Sequence, residues 1–399
     1  MNTQPSSFAA APAGGSRPAP DGRRVAFAAT CAAMLVFAVS AAILPAALLR
    51  AAGDLHVDAA ALMRVVATQF GAFFLSTLVG GLLSDRFGKL AVLQGGCILT
   101  VAGALLWTGV HGLPAAHGAA ALLGMGGGIL ESVGSALLAD LYPRRRKLVL
   151  NLSQVAYCAG AAAGPAVMAL LLPQGVSWRV FFAAEAALGT LLLALYRCAP
   201  SLPAALPSAA GLGELTRPLR DPSVLLLAAG LFGYVFAESG MGVGVNVYLQ
   251  MQHHAPERWA ILGITLIWSG MLVGRLICAA LPERLPTDRL IAGLAVVGAV
   301  SLAAQGAAAD WRVSFALFGL SGFIFSGIWP LMVALCAARQ PVRSGGAVGI
   351  VVAAGALGVI AAPILVAAML PDGRAIYLFP LLALALLGTA VAVLAACRT

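Results

Sequence analysis

Charge is scarce in this sequence. Asp, Glu, Lys and Arg make up 10% of its 399 residues, against roughly 25% in an ordinary soluble domain. A chain so poor in polar side chains cannot cover a core in water. The two or three soluble domains that length alone would suggest are therefore excluded. None of the seven cysteines stands in a CxxC pair, which removes the common zinc and dithiol signatures and leaves small packing residues as their reading. The five histidines show no ligand spacing and fall in or near loops. No nucleophile–base pair or phosphate loop is legible, and the glycine runs lie inside apolar stretches. No metal, no cofactor and no enzymatic activity is expected.

What the sequence has is apolar length. Hydrophobic residues make up 61% and the mean hydropathy is +0.96. A bilayer-spanning helix needs about 20 apolar residues, and twelve of them with short loops would use nearly the whole chain. The apolar runs predict spans at 24–50, 60–84, 90–111, 116–141, 147–172, 177–197, 222–250, 259–281, 287–308, 312–338, 344–370 and 375–396. The expected fold is an all-α membrane protein of 12 transmembrane helices. The first apolar run is too long for a signal-peptide core and reads as the first span.

The net charge of +9 does not point to nucleic acid, because the charges sit between the apolar runs. The N-terminal tail and the even-numbered loops carry 17 basic residues, the odd-numbered loops six, and Arg275 alone lies within a span. That bias places both termini in the cytoplasm, as in a multi-pass protein of a bacterial inner membrane. Residues 1–22, rich in Pro, Ala, Gly and Ser, read as a disordered cytoplasmic tail. Residues 198–221, with Pro200, Pro203, Pro207 and Pro218, read as a cytoplasmic linker between two six-helix bundles, 23–197 and 222–399.

Repeats belong on either side of such a linker. An offset of 198 residues aligns Asp85-Arg86 with Glu283-Arg284, Pro143 with Pro341, Gly160 with Gly358, and Pro165 with Pro363. The same offset sets Trp329 opposite Glu131 and Ser40 opposite Glu238. Parallel six-helix repeats of this kind place a binding site near the midplane, between the halves.

The run Gly81-Leu82-Leu83-Ser84-Asp85-Arg86-Phe87-Gly88-Lys89 resembles the signature of the major facilitator superfamily between spans two and three, and Asp140-Leu141-Tyr142-Pro143-Arg144 resembles its matching loop after span four. The resemblance implies a transporter with a charge clamp of Asp85, Arg86, Lys89, Asp140, Arg144, Glu283 and Arg284, favouring an outward-open state. Within the superfamily, Leu130-Glu131 followed by Leu150-Asn151-Leu152-Ser153-Gln154 is similar to the fucose:proton symporter family. Tyr234-x-x-x-Glu238, Gly270-Met271-x-x-Gly274-Arg275 and Ile328-Trp329-Pro330 are similar to sugar transporters of that group. The likeness assigns sugar binding or coupling to Glu131 and Gln154. The essential acid that this family carries in span one is absent between Val25 and Leu49, and Tyr157 stands where the family has an amide.

Charge in hydrocarbon costs about 2.5–3.5 kcal/mol on insertion scales, so intramembrane ionisable groups are the functional candidates. Of 15 acidic residues, Glu131, Glu185 and Glu238 alone lie near mid-span. Glu131 and Glu238 fall on spans four and seven, which line the cavity in this architecture, and are the expected proton-coupling pair. Glu185, on span six, is less well placed. Asn151, Gln154, Tyr157, Tyr234, Asn246, Gln250, Trp268 and Trp329 are the expected substrate-binding residues, since amides hydrogen-bond hydroxyls and aromatic faces stack on sugars. Arg275 reads as a packing or snorkelling residue. The expected partners are a small-molecule substrate and the lipid bilayer, the coupling ion is a proton, and the chain is expected to work as a monomer. The alternative is proton-driven efflux of a drug, siderophore or metabolite.

Overall fold

A computed structural model describes residues 20–142, 145–198, 220–279, 286–340 and 344–398. The chain is all-helical there. The helices are α1 (Pro20–Leu55), α2 (Ala59–Phe87), α3 (Lys89–Thr108), α4 (Leu113–Leu141), α5 (Arg146–Leu171), α6 (Arg179–Cys198), α7 (Pro222–Met251), α8 (Glu257–Ala279), α9 (Thr287–Gln305), α10 (Trp311–Phe325), α11 (Ile328–Arg339), α12 (Ser344–Met369) and α13 (Leu378–Ala396). Twelve stretches are long and apolar enough to cross a membrane, and they fall where the hydropathy predicts. The protein is a multi-pass membrane protein.

Span ten departs from its expected single helix. It breaks between α10 and α11 at Ser326-Gly327. Pro330 has no N–H to give the carbonyl four residues back, which belongs to Ser326. The adjoining carbonyl of Phe325 is instead met by the Tyr234 hydroxyl, at 3.1 Å. Pro45, Pro165 and Pro363 lie inside helices that continue through them. The linker residues 199–219 and tail residues 1–19 lie outside the described residues, as do Pro143, Arg144, Pro341, Glu283 and Arg284.

Within each half the helices pack in the same pairs. α1 packs on α5 and α6, and α4 on α2 and α3; in the second half α7 packs on α12 and α13, and α10 on α8 and α9. Lipid tails offer no hydrophobic force between helices, so close approach through small residues drives association. The 198-residue offset recurs in these approaches. A methyl group on Gly124 would lie 1.9 Å from the carbonyl oxygen of Gln69, and one on Gly322 would lie 2.2 Å from that of Ile267. Gly160 meets the Leu35 carbonyl of α1, and Gly358 the Phe232 carbonyl of α7, at 2.5 and 2.8 Å on the same measure. Both partners of each close pair are displaced by the repeat or nearly so.

An even number of spans returns the chain to the side where it began, giving a terminal face and an opposite face. The halves are bonded to each other toward the opposite face. Arg50 of α1 holds both carboxylate oxygens of Glu257 at the start of α8, with Nη2–Oε2 at 2.7 Å. The Asn246 amide of α7 donates to the carbonyls of Pro45 and Ala46 in α1, each at 2.9 Å. Among the described residues, the other hydrogen bonds between halves lie deeper, between α5 and α8, and none joins the halves at the terminal face.

Candidate functional site

The two most extensive helix contacts between the halves are α5 against α8 and α2 against α12. Polar contact concentrates at the first. Thr265 of α8 donates to the Ala162 carbonyl of α5 at 3.0 Å. One turn further along α8, Trp268 meets the Tyr157 ring edge-on at 5.4 Å. Tyr157 in turn touches Phe37 of α1 at 5.6 Å, which stacks on Phe73 of α2 at 5.0 Å. A continuous aromatic wall thus runs from one half into the other.

Beside that wall lies the charge. Arg275 reaches back along α8 and donates from Nη1 to the Cys158 thiol at 3.2 Å. Its charge acts on Glu131 of α4 and on Glu238 of α7. Gln154 of α5 faces the Glu131 carboxyl, and Tyr234 faces Glu238. Glu131, Gln154, Tyr157, Glu238 and Trp268 lie well inside their helices, Arg275 reaches back toward them from near the end of α8, and all six stay partly accessible. Side chains with that combination line a crevice rather than fill a core. Two acids and one base facing each other make the net charge of the crevice depend on protonation: −1, neutral or +1 with none, one or both glutamates protonated.

The structure brings Glu131, Glu238, Gln154, Tyr157 and Trp268 together across the seam. The other expected site residues differ in where they stand. Asn246 is fully buried and its amide is committed to α1 carbonyls; Gln250 donates to the Asn246 side chain at 2.8 Å. Both therefore serve the contact between halves in this conformation. Tyr234 is fully buried, with its hydroxyl on the Phe325 carbonyl. Trp329 is half-buried and packs against the same apolar cluster as Trp268, but it is not among the rings that meet Tyr157. Asn151 lies on α5 with its side chain outside the described set.

Of the expected clamp residues, two are seen to pair. Lys89 pairs with Asp140 at 2.9 Å, inside one half. Arg86 is exposed beside Phe87, and the Asp85 side chain lies outside the described residues, as do Arg144, Glu283 and Arg284. The ion pair between halves is Arg50–Glu257, at the opposite face. It is this face that is held shut, and the Lys89–Asp140 pair is compatible with that because it spans no gap between halves.

By sequence, Arg275 and Cys158 read as packing residues. The signal that could have found them was present. Arg275 is the lone base within a span, and an intramembrane ionisable group is a functional candidate by default. Its position near the end of α8 hid that the side chain reaches back to mid-depth. Glu185 shows the reverse case. It is buried at 1% exposure, and Ser40 of α1 neighbours it, but neither its oxygens nor the Ser40 hydroxyl has a hydrogen-bond partner of normal geometry. It sits inside one bundle, away from the seam. Ser40, expected to balance Glu238 across the pseudo-symmetry, faces Glu185 instead.

The family model described as Major Facilitator Superfamily matches residues 26–304. No curated protein sequence matches the chain. Among solved structures, the crystal structure of a D-xylose-proton symporter superposes with a TM-score of 0.73 at 18% identity, covering 94% of this chain and 96% of that one. Likeness at that identity shows a shared fold.

Proposed function

Because the chain belongs to the major facilitator superfamily, we propose that it is a secondary active transporter moving a small polar solute of the sugar class across a bacterial inner membrane, coupled to protons. The observation that carries this reading is the meeting of Glu131 and Glu238, one from each half, around Arg275 at the crossing of α5 and α8. A carboxyl in low dielectric is a natural proton carrier, and a site at the seam is exposed to alternate sides as the halves rock. The similar fold of a proton-coupled sugar symporter supports the same reading.

The basic bias of the sequence puts the terminal face in the cytoplasm. The Arg50–Glu257 and Asn246–α1 contacts then close the outer side, and the crevice opens inward. In this scheme Glu131 takes a proton from outside together with solute and releases it to the cytoplasm, while Gln154 orients the carboxyl and hydrogen-bonds the solute. Tyr157 and Trp268 supply the ring faces. Lys89–Asp140 stiffens the N-terminal half throughout the cycle. The polar crevice favours a polar cargo over an apolar drug as the object of the alternative reading, export.

The test is transport into proteoliposomes under an imposed pH gradient. The native chain should accumulate its solute, and a protonophore should abolish accumulation. Glu131→Gln should keep solute counterflow but lose accumulation driven by the gradient. If Glu131→Gln accumulates solute as the native chain does, Glu131 is not the coupling site. If a sodium gradient drives uptake with the protonophore present, the ion is not a proton.

A further inference from the structure

Arg275 has more hydrogen-bonding capacity than the protein uses. A guanidinium carries five N–H donors in a rigid fork that matches a carboxylate in bidentate fashion. Here one nitrogen donates to a thiol, which is a weak acceptor. The Nε–H is buried with no hydrogen-bond partner. Among the described residues no carboxylate oxygen comes within 4.0 Å of the guanidinium nitrogens, although the same helix forms a close bidentate pair at Glu257. Leaving a buried charged donor unsatisfied is costly. It persists where something else supplies the missing acceptor.

We propose that this acceptor is the cargo, and that the cargo is an organic acid: a polyhydroxylated carboxylate of the uronate type, whose carboxylate binds Arg275. The proposal rests on the transporter reading above and narrows its substrate class. The remaining groups of the crevice suit the rest of such a molecule. Gln154 offers an amide to hydroxyls, and Tyr157 and Trp268 offer ring faces to the sugar ring.

Charge balance ties the cargo to the protons. The ionisable groups facing Arg275 are Glu131 of α4, Tyr157 and Cys158 of α5, and Tyr234 and Glu238 of α7. Of the other helices packed on α8, α1 places Arg50 on Glu257 at the far end of α8, and the ionisable side chain of α10, Arg312, pairs with Asp310. With both glutamates ionised, the crevice carries one net negative charge and repels an anion. With one protonated it is neutral, and with both protonated it is positive. An anionic cargo therefore binds after the protons and leaves with them. A neutral sugar would give the crevice no such preference.

The experiment uses purified full-length protein and matched probes that differ at one carbon: D-glucuronate against D-glucose, and D-galacturonate against D-galactose. Thermal stability is read at about pH 6 and about pH 8, with proton uptake on ligand addition followed in lightly buffered solution. A uronate should raise the melting temperature at the lower pH, bind at least about tenfold more weakly at the higher pH, and outcompete its neutral mate. Arg275→Gln should abolish the uronate shift, and Arg275→Lys, which keeps the charge but loses the fork, should retain a weakened one. The proposal is overturned if no uronate shifts the melting temperature, if the neutral hexoses bind as well as the uronates, or if folded Arg275→Gln binds uronate undiminished. Should Arg275→Gln fail to fold, the Arg275→Lys variant decides: unchanged affinity there overturns the bidentate contact. Uronate binding through Arg275 without proton uptake would sink the proton-coupling reading and leave this one standing. Neutral hexose binding with proton uptake would do the opposite.

Discussion

The crossings α5–α8 and α2–α12 are related by the repeat, yet one is polar and the other is not. Tyr157, Cys158 and Ala162 on α5 have Gly355, Ala356 and Ile360 as counterparts on α12. Thr265, Trp268 and Arg275 on α8 have Ala67, Phe70 and Thr77 on α2. Among the described residues the first crossing holds two hydrogen bonds and an aromatic contact, and the second holds none. The backbone framework around them has stayed symmetric, because Gly124 against Gln69 and Gly322 against Ile267 are the same approach in the two halves. Side chains that set helix spacing have little freedom to differ, since any Cβ there would strike backbone. Side chains that line a crevice can diverge, and at one crossing they have done so.

The largest expected effect tests the symmetric part. Gly124→Val and Gly322→Val should each destabilise the fold toward or beyond the upper end of the about 1–3 kcal/mol typical of overpacking. Melting of the two purified variants checks this, and a large loss in one with none in the other would break the equivalence of the halves.

Next comes the asymmetric part. Trp268→Ala should weaken solute binding on the order of tenfold, since a stacked or edge-on ring contributes about 0.5–1.5 kcal/mol beyond its buried area. Phe70→Leu, at the mate position, should leave binding within about twofold, because, among the described residues, the polar and ring contacts of these two crossings lie at the other one. Equal losses in the two variants would mean that both crossings form the site.

The smallest effect concerns another pair of mates. Tyr142 donates to the Arg23 carbonyl at 3.1 Å in the first half, and at the same offset Gln340 donates to the Asp221 carboxylate in the second. Asp221 also caps α7, accepting from the Ser223 hydroxyl at 2.8 Å and its backbone N–H at 2.9 Å. The Ser223 hydroxyl bond, with further hydrogen bonds, holds the Asp221 carboxyl below its usual value. Its contribution is therefore present above the unfolded-state pKa and is lost as pH falls through the lower folded value. Asp221→Ala should cost about 1 kcal/mol near neutrality, as lost caps do, and the difference from the native chain should vanish in strong acid. A difference that persists undiminished below about pH 2 would mean that the carboxylate charge is not what stabilises this end.

Much of this was legible in the sequence. The span positions followed from apolar length, because every span must bury about 20 residues in hydrocarbon. The pairing of halves followed from one offset. Glu131, Glu238, Gln154, Tyr157 and Trp268 were identifiable because polar and aromatic groups are rare at mid-span. Asn246 and Gln250 looked equally suitable on the same grounds. Their difference from Gln154 is one of direction: their amides point at a neighbouring backbone and at each other, and sequence spacing does not say which neighbour a helix face meets.

The sequence by itself therefore determined the number of spans, the two-fold repeat and a short roster of costly intramembrane polar groups, since all three are properties of hydrophobicity along one strand of chain. Only the tertiary structure decided which of those groups share a space. It gathered Glu131, Glu238 and Arg275 at one crossing, sealed Glu185 inside a bundle, and spent Asn246 on closing one face. The reason is geometric. The reach of a long side chain such as Arg275 and the rotation of each helix about its axis are fixed by packing between helices far apart in sequence.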